Sequence, residues 1–290
     1  MNLGLVGVGP WGRKLAQEFV SQGHKIVAYD RKTMDGIGGY GQRRPWQEMA
    51  RGRDIDACVI AADPETTLAA ALTCNELGKP ALVTKPLYLP RPFPALCAPI
   101  LVDFLRLESA LYSNLKLAIN SDRCGVAAVQ ICLYGDGPFR KFSGTLDYGH
   151  HAIAFLYDLL GADSSPQIDV CNWLVLDGVR SLLHVNGIWN SADFEFIVGN
   201  GASANLTNLR VSLNSGLQPL SYVEEGLDTS VRTYFGFVTE HAEARSALSN
   251  LVRKFTTHVE KGVLDRTSIQ ISELATGVFE KIRKLPPKQS

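Results

Sequence analysis

The stretch that most constrains the fold is "NLGLVGVGPWGRKLAQEFVSQGHKIVAYD", residues 2–30. A short apolar strand runs into Gly7-Val8-Gly9-Pro10-Trp11-Gly12. A helical pattern then places Leu15, Phe19 and Val20 on one side, and a second strand from His24 to Tyr29 ends in Asp30. Strand, GxGxxG turn, helix and acid-terminated strand, in that order, make the dinucleotide-binding βαβ unit. Each glycine has its own task there. Gly7 permits the tight turn, Gly9 lets backbone approach a pyrophosphate, and Gly12 lets the helix lie close to the strand. The helix N-terminus adds free N–H groups and a positive dipole end. Pro10 and Trp11 lie inside the turn and count with the cofactor-binding residues.

Asp30 stands roughly 20 residues beyond the glycines, where a ribose 2′-hydroxyl is read, and it favours NAD because a carboxylate repels a 2′-phosphate. Arg31 and Lys32 follow it and leave NADP open, since two cations could accept that phosphate if Asp30 turned aside. The stretch from Arg31 to Asp54 is rich in glycine and arginine and poor in periodic apolar residues, which predicts a loop in place of a crossover helix. Arg43 and Arg44 within it read as solvated surface arginines. "IDACVIAAD" is a continuous apolar strand whose end, at Ala62, belongs to the same ligand-binding edge. "PETTLAAALTCNELGKP" is a helix capped near Asp63 and ended by Gly78. "ALVTKPLYL" is the next strand, and it finishes on a charge, Lys85. In a doubly wound sheet ligands gather at the carboxyl ends of the strands, so a lysine there is a candidate contact for cofactor and substrate.

Composition narrows the class. Apolar residues make up 46% and charged residues 20% of the 290, enough for a sizeable core. The formal net charge is zero and the pI about 7.0, which removes the electrostatic argument for a nucleic-acid partner. The cysteines, at 58, 74, 97, 124, 132 and 171, show no CxxC and no metal-ligand spacing, so no metal is expected, and most are expected as core thiols of a reducing compartment. No signal peptide and no bilayer-length apolar run is visible, and the expectation is a soluble cytoplasmic protein.

Strand, GxGxxG, strand ending in Asp30, "IDACVIAADP", helix and "GKPALVTKPL" together resemble the N-terminal half of the glucose-fructose oxidoreductase / inositol dehydrogenase (Gfo/Idh/MocA) family of NAD(P)-dependent enzymes. "FSGTLDYGHHAIAFLYDLLG", residues 142–161, looks like that family's Asp-x-Gly-x-His segment, with Asp147, Gly149 and His151 in the matching positions. The resemblance implies an α/β Rossmann domain, a doubly wound parallel sheet, over residues 1–120. An α+β domain with an open, mostly antiparallel sheet follows over 121–290. It also implies Lys85, Asp147 and His151 as catalytic residues. Asp147 and His151 are one helical turn apart and share a face. His150, adjacent, points elsewhere.

The implied chemistry is reversible hydride transfer between a nicotinamide and a carbinol carbon of a sugar or sugar derivative. An imidazole titrates near 6.5 and suits His151 to take the alcohol proton. Lys85 would stabilise charge on the oxygen, and Asp147 would bind a hydroxyl or orient the other two. Tyr148, Trp173 and Trp189 are weighed as a stacking wall for a sugar ring, with core packing the preferred reading. Asp103 and Arg106, just after the last Rossmann strand, stay open between cleft and surface.

"GVAAVQICLYG", "QIDVCNWLVL", "SLLHVNGIWN", "DFEFIVGNG" and "NLRVSLN" read as strands of the second sheet, and two amphipathic helices close the chain. A homo-oligomer, dimer or tetramer, is expected through that sheet. Three positions depart from the family's pattern: Thr84 replaces its glutamate, Thr67 a histidine, and Ala154 an aspartate. These keep open a cofactor-binding sensor without turnover, and an imine-reducing or redox-neutral reaction on the same scaffold.

Overall fold

The computed structural model describes residues 1–30, 41–135, 144–162, 164–175, 181–200, 206–216, 219–225, 231–232 and 246–284. Contacts divide the chain into two units. The first is Met1–Glu108 with Arg245–Glu273, and the second is Ser109–Ala244 with Leu274–Ser290. The sequence places a boundary near residue 120; the units part at Glu108, and the chain returns to the first unit near its end.

The first unit holds a six-stranded sheet of strands β1 (Asn2–Val6), β2 (Lys25–Tyr29), β3 (Gln42–Arg43), β4 (Ala57–Ile60), β5 (Ala81–Thr84) and β6 (Ile100–Asp103). Their spatial order is β3-β2-β1-β4-β5-β6, and every pair is parallel. All residues of β4, β5 and β6 are buried. Continuous burial belongs to a parallel sheet covered on both faces, and it explains why these strands read as unbroken apolar runs.

Helix α1 (Pro10–Ser21) buries Gly12, Leu15, Ala16 and Phe19, the spacing of one helical face. Helix α6 (Ala247–Lys261) returns to pack on it, with the rings of Phe19 and Phe255 edge to face at 6.1 Å. Where the sequence predicts a loop between Asp30 and β4, the structure has β3 and a short helix, α2 (Trp46–Arg51), which buries Met49 and Ala50. Six residues are too few to show a helical period. Helix α3 (Pro64–Glu76) is capped as expected. The Asp63 side chain accepts the Thr66 N–H at 3.0 Å, and Gly78 adopts a positive φ of 65° beyond the helix end.

The second unit is built on a seven-stranded sheet and on helices α4 (Ala110–Ser121) and α5 (Gly144–Leu160). Its strands are β7 (Val126–Tyr134), β8 (Gln167–Val175), β9 (Ser181–Trp189), β10 (Ala192–Gly199), β11 (Leu206–Leu213), β12 (Leu220–Glu225) and β13 (Val231–Arg232), in the order β13-β12-β11-β7-β10-β9-β8. Among the described residues only β7 and β10 pair in parallel, so the sheet is mostly antiparallel, as expected. Buried and less buried residues alternate along β9, β10 and β11, the mark of a sheet covered on one face. Strands β12 and β13 extend it beyond what the sequence predicts.

The last helix, α7 (Thr267–Lys284), is shared by the units, which divide after Glu273. The cysteines depart from expectation. Cys58 and Cys74 are buried, Cys132 and Cys171 are intermediate, and Cys97 and Cys124 are exposed because both lie in connecting segments.

Candidate functional site

In the first unit the predicted cofactor residues that the structure describes fall at one edge of the sheet, the carboxyl ends of β1, β2, β4 and β5. The turn after β1 is shaped by its own backbone. Gly7 has φ +88°, and a Cβ there would lie 2.3 Å from the Ala61 carbonyl oxygen and 2.9 Å from the Ala62 nitrogen. The turn therefore rests on the segment that leaves β4, and only glycine fits. A Cβ on Gly12 would lie 2.2 Å from the Gly7 carbonyl oxygen, so the first turn of α1 closes down on the loop before it.

Gly9 is different. Its backbone is extended, with φ −77° and ψ 179°, and a Cβ would meet nothing within 4 Å. Neither conformation nor packing requires glycine there. Gly9 also stands at the N-cap of α1 without a side-chain cap, and Pro10 occupies the first turn. The loop thus presents bare backbone to open space at a positive helix end, which is what a pyrophosphate needs. The residues present fit a dinucleotide.

Asp30 follows β2 and is half-buried, its N–H bonded to the Leu5 carbonyl at 3.0 Å. Arg31 and Lys32 lie outside the described residues. Arg44 forms an ion pair with Asp54, Nη1 to Oδ2 at 2.7 Å, and Arg43 is exposed, which agrees with surface roles for both. Ala62 is half-buried beside the turn.

Lys85 directly follows β5. From Ala81 to Leu87 every residue is buried except Lys85, and the Lys85–Pro86 peptide is cis. The strand-end lysine that the sequence singles out is therefore a half-buried cation in a buried stretch. Its neighbour Thr84, 6% exposed, pairs across the sheet with Asp103, the last residue of β6. Asp103 is 1% exposed, and Oδ2 accepts the indole N–H of Trp11 at 2.8 Å while Oδ1 accepts the Leu105 N–H at 3.0 Å. Sequence reasoning leaves Asp103 undecided, because no local signal announces a partner 92 residues away.

In the second unit Asp147 and His151 lie one turn apart on α5. Asp147 is in the helix's first turn, where its charge complements the dipole, and is half-buried, whereas His151 is 6% exposed. The start of the helix is pinned to the sheet. Thr145 Oγ1 bonds Ser181 Oγ at the head of β9, and the Ser181 N–H donates to Asn200 Oδ1 at 2.9 Å. His150 is a packed histidine at 1% exposure, with Nδ1 2.7 Å from the Leu146 carbonyl and its ring stacked on Phe279 at 5.5 Å.

Gly149 has a packing reason that the motif does not disclose. A Cβ there would lie 2.2 Å from Phe279 Cζ, so α7 sits directly against α5. Gly149→Ala is expected to destabilise the fold by about 1–3 kcal/mol through overpacking. Trimming the ring with Phe279→Leu in the same chain should recover part of the loss. Thermal melts of wild type, the single variant and the double variant check this.

Of the aromatic residues weighed as a stacking wall, Trp189 is 1% exposed and belongs to the core, Trp173 is 39% exposed, and Tyr148 is half-buried. Thr67, Thr84 and Ala154 are all buried. Among the described residues no cluster of His, Cys, Asp and Glu could hold a metal ion, and no helix is long and apolar enough to cross a membrane.

No protein-family profile and no curated protein sequence matches the chain. Solved structures do. A myo-inositol dehydrogenase from Lactobacillus casei, in complex with NAD(H) and myo-inositol, is 14% identical and aligns over 98% of this chain and 94% of its own, with TM-score 0.72. A 3-ketoreductase from Actinomadura kijaniata, in complex with TDP-benzene and NADP, is 14% identical over 98% and 96%, with TM-score 0.69. A biliverdin reductase from Synechocystis, in complex with biliverdin and NADP+, is 15% identical over 96% and 98%, with TM-score 0.67. The chain has the fold of these dehydrogenases and reductases, a parallel sheet flanked by helices followed by a mostly antiparallel one.

Proposed function

We propose that the chain is a nicotinamide-dependent oxidoreductase that moves a hydride between its cofactor and a carbinol or keto carbon of a sugar-like small molecule. The observation that carries this reading is Gly9, a glycine that neither backbone angles nor neighbours demand, at an uncapped helix end. NAD is the preferred cofactor because Asp30 directly follows β2, with NADP the alternative. When bound, the nicotinamide supplies or accepts the hydride. Lys85 stabilises negative charge on the substrate oxygen. His151 takes the proton from that oxygen in the oxidative direction, and Asp147 holds a substrate hydroxyl. The similarly folded proteins with NAD(H) or NADP in their structures support the cofactor class, and the one with myo-inositol supports a polyol.

Parallel titrations with NADH and NADPH, followed by nicotinamide fluorescence, test the reading. Saturable binding of one of them is expected. Binding of neither by folded protein would overturn it.

A second reading has a specific observation behind it. Because Thr67, Thr84 and Ala154 are all buried and carry no ionisable group, none of them replaces the acid or imidazole usual at its position. Cofactor binding without turnover on any sugar, polyol or imine in a broad panel would favour a sensor. Turnover without net NADH release would favour redox-neutral chemistry.

The homo-oligomer is proposed on the open face of the second sheet. Leu174 and Ile188, 55% and 42% exposed, stand on one face of β8 and β9, because Leu174 pairs with Leu182 and Ile188 lies an even number of residues further along β9. A chain carrying Leu174→Lys and Ile188→Lys should run at monomer mass in light scattering while the wild type runs as a dimer or tetramer. A monomeric wild type would remove the proposal.

A further inference from the structure

We infer that Asp103 is a positioning residue for the cofactor: it anchors the indole of Trp11 across the strand ends as the wall against which the nicotinamide end rests. The inference rests on the cofactor reading above and adds a residue pair to it.

The topology places the pair. Trp11 lies in the first turn of α1, directly after the loop that follows β1, and Asp103 ends β6; in the sheet, β4 and β5 lie between β1 and β6. Neighbouring parallel strands are about 4.8 Å apart, so β1 and β6 are separated by roughly 14 Å. The turn covers part of that distance by resting on the end of β4 at Ala61, and the Trp11 side chain covers the rest to reach Asp103 at 2.8 Å. The indole therefore crosses the sheet edge on the β5 side of the pyrophosphate turn. Asp30, which would read the adenosine ribose, follows β2 on the other side. A dinucleotide with its ribose at Asp30 and its pyrophosphate at Gly9 has its nicotinamide half on the Trp11 side. The same side holds Lys85, whose preceding residue Thr84 pairs with Asp103.

The chemistry of the pair fits a fixed wall. Trp11 is half-buried, with part of its surface packed against the hydrophobic core to which Leu15, Leu82 and Leu101 belong and part exposed. Left to packing alone, such a ring could tilt. The bond from its N–H to a nearly buried carboxyl group, itself held by the Leu105 N–H, removes that freedom. A flat indole held at a set angle is a stacking surface for a planar ring.

The test separates the two halves of the cofactor. Wild type, Asp103→Asn, Asp103→Ala, Trp11→Phe and the double variant Trp11→Phe/Asp103→Asn are titrated calorimetrically. The ligands are NADH and ADP-ribose, which lacks the nicotinamide, or their 2′-phosphates if NADPH is the ligand. Asp103→Ala and Trp11→Phe should each weaken the reduced cofactor by roughly fivefold to tenfold, the loss of one hydrogen bond's worth of positioning, and leave ADP-ribose within about twofold. Asp103→Asn should fall between, because its single amide oxygen can serve one N–H in place of two. The double variant should lose no more than Trp11→Phe, since the two residues act as one unit.

Equal losses for both ligands would show that the pair only braces the turn, and unchanged affinities would show that it does nothing for the cofactor. Either result overturns the inference while leaving the function standing. A wild type that binds neither ligand sinks the cofactor reading itself. If Asp103→Ala does not fold, Asp103→Asn, which keeps the volume, and Trp11→Phe, which keeps an aromatic ring, decide the matter.

Discussion

Lys85→Ala is expected to lower turnover by about a hundredfold to a thousandfold, the loss measured when one preorganised donor to a developing oxyanion is removed. Reduced cofactor should still bind, weakened by a few-fold at most, because the turn, the uncapped helix end and Asp30 are untouched. The burial pattern underlies the size of the effect. Lys85 is the one residue from Ala81 to Leu87 that is not buried, so its backbone is fixed by a packed stretch on both sides. A cation carried on fixed backbone at the strand end is preorganised toward the developing charge, and its removal leaves that charge without a donor.

Lys85→Met, which keeps the stem and deletes the charge, should match the alanine variant. A small primary amine in the buffer should restore part of the rate to Lys85→Ala but not to Lys85→Met, whose side chain fills the space. The measurement is kcat on the best substrate of a sugar and polyol panel that includes myo-inositol, with cofactor Kd taken alongside. Wild-type rates in Lys85→Ala would remove the lysine from the chemistry.

The parts of this fold that the sequence discloses are those whose pattern is local. The runs ACVI and ALVT of β4 and β5 are almost wholly apolar because both faces of that sheet are covered, whereas a strand with one wet face would alternate. Asp63 announces α3 because a cap is a contact across three residues. In the second unit β12, LSYVEE, is hidden because two glutamates end it and its partners are β11 and β13. The short helix α2 is hidden because a single turn and a half carries no period. The candidate site divides along the same line. Gly7, Gly9 and Gly12 are legible as a spacing, and Asp147 with His151 as one turn of helix. The anchoring of Trp11 by Asp103 and the contact of Gly149 with Phe279 join residues far apart in sequence, and neither residue type predicts its partner.

The three glycines of the turn should respond to substitution in opposite ways, and the contrast follows directly from the geometry. Gly7→Ala puts a side chain at φ +88° and 2.3 Å from a backbone oxygen that cannot swing aside. Strain and overlap together should cost about 3 kcal/mol or more, and the variant should melt well below the wild type. Gly12→Ala meets the Gly7 carbonyl at 2.2 Å and should fail in the same manner.

Gly9→Val should fold as the wild type does. Its extended angles suit a β-branched residue, the following Pro10 restricts it to that region in any case, and a Cβ there has open space around it. The modest loss of a good N-cap is offset by the smaller entropy of the unfolded chain, so Tm should move little. Cofactor affinity should nevertheless fall by roughly a hundredfold, because two methyl groups would stand where the pyrophosphate accepts charge-assisted bonds from the backbone, each worth about 1.5–3 kcal/mol. Thermal melts beside NADH and ADP-ribose titrations read both quantities on the same preparations. A Gly9→Val protein that melts normally and binds both ligands as tightly as the wild type would mean that the open space at Gly9 is not where phosphate lies. The cofactor reading would then lose the observation that carries it. Normal melting with both ligands lost assigns that space to the pyrophosphate, since ADP-ribose shares the pyrophosphate with NADH and carries no nicotinamide.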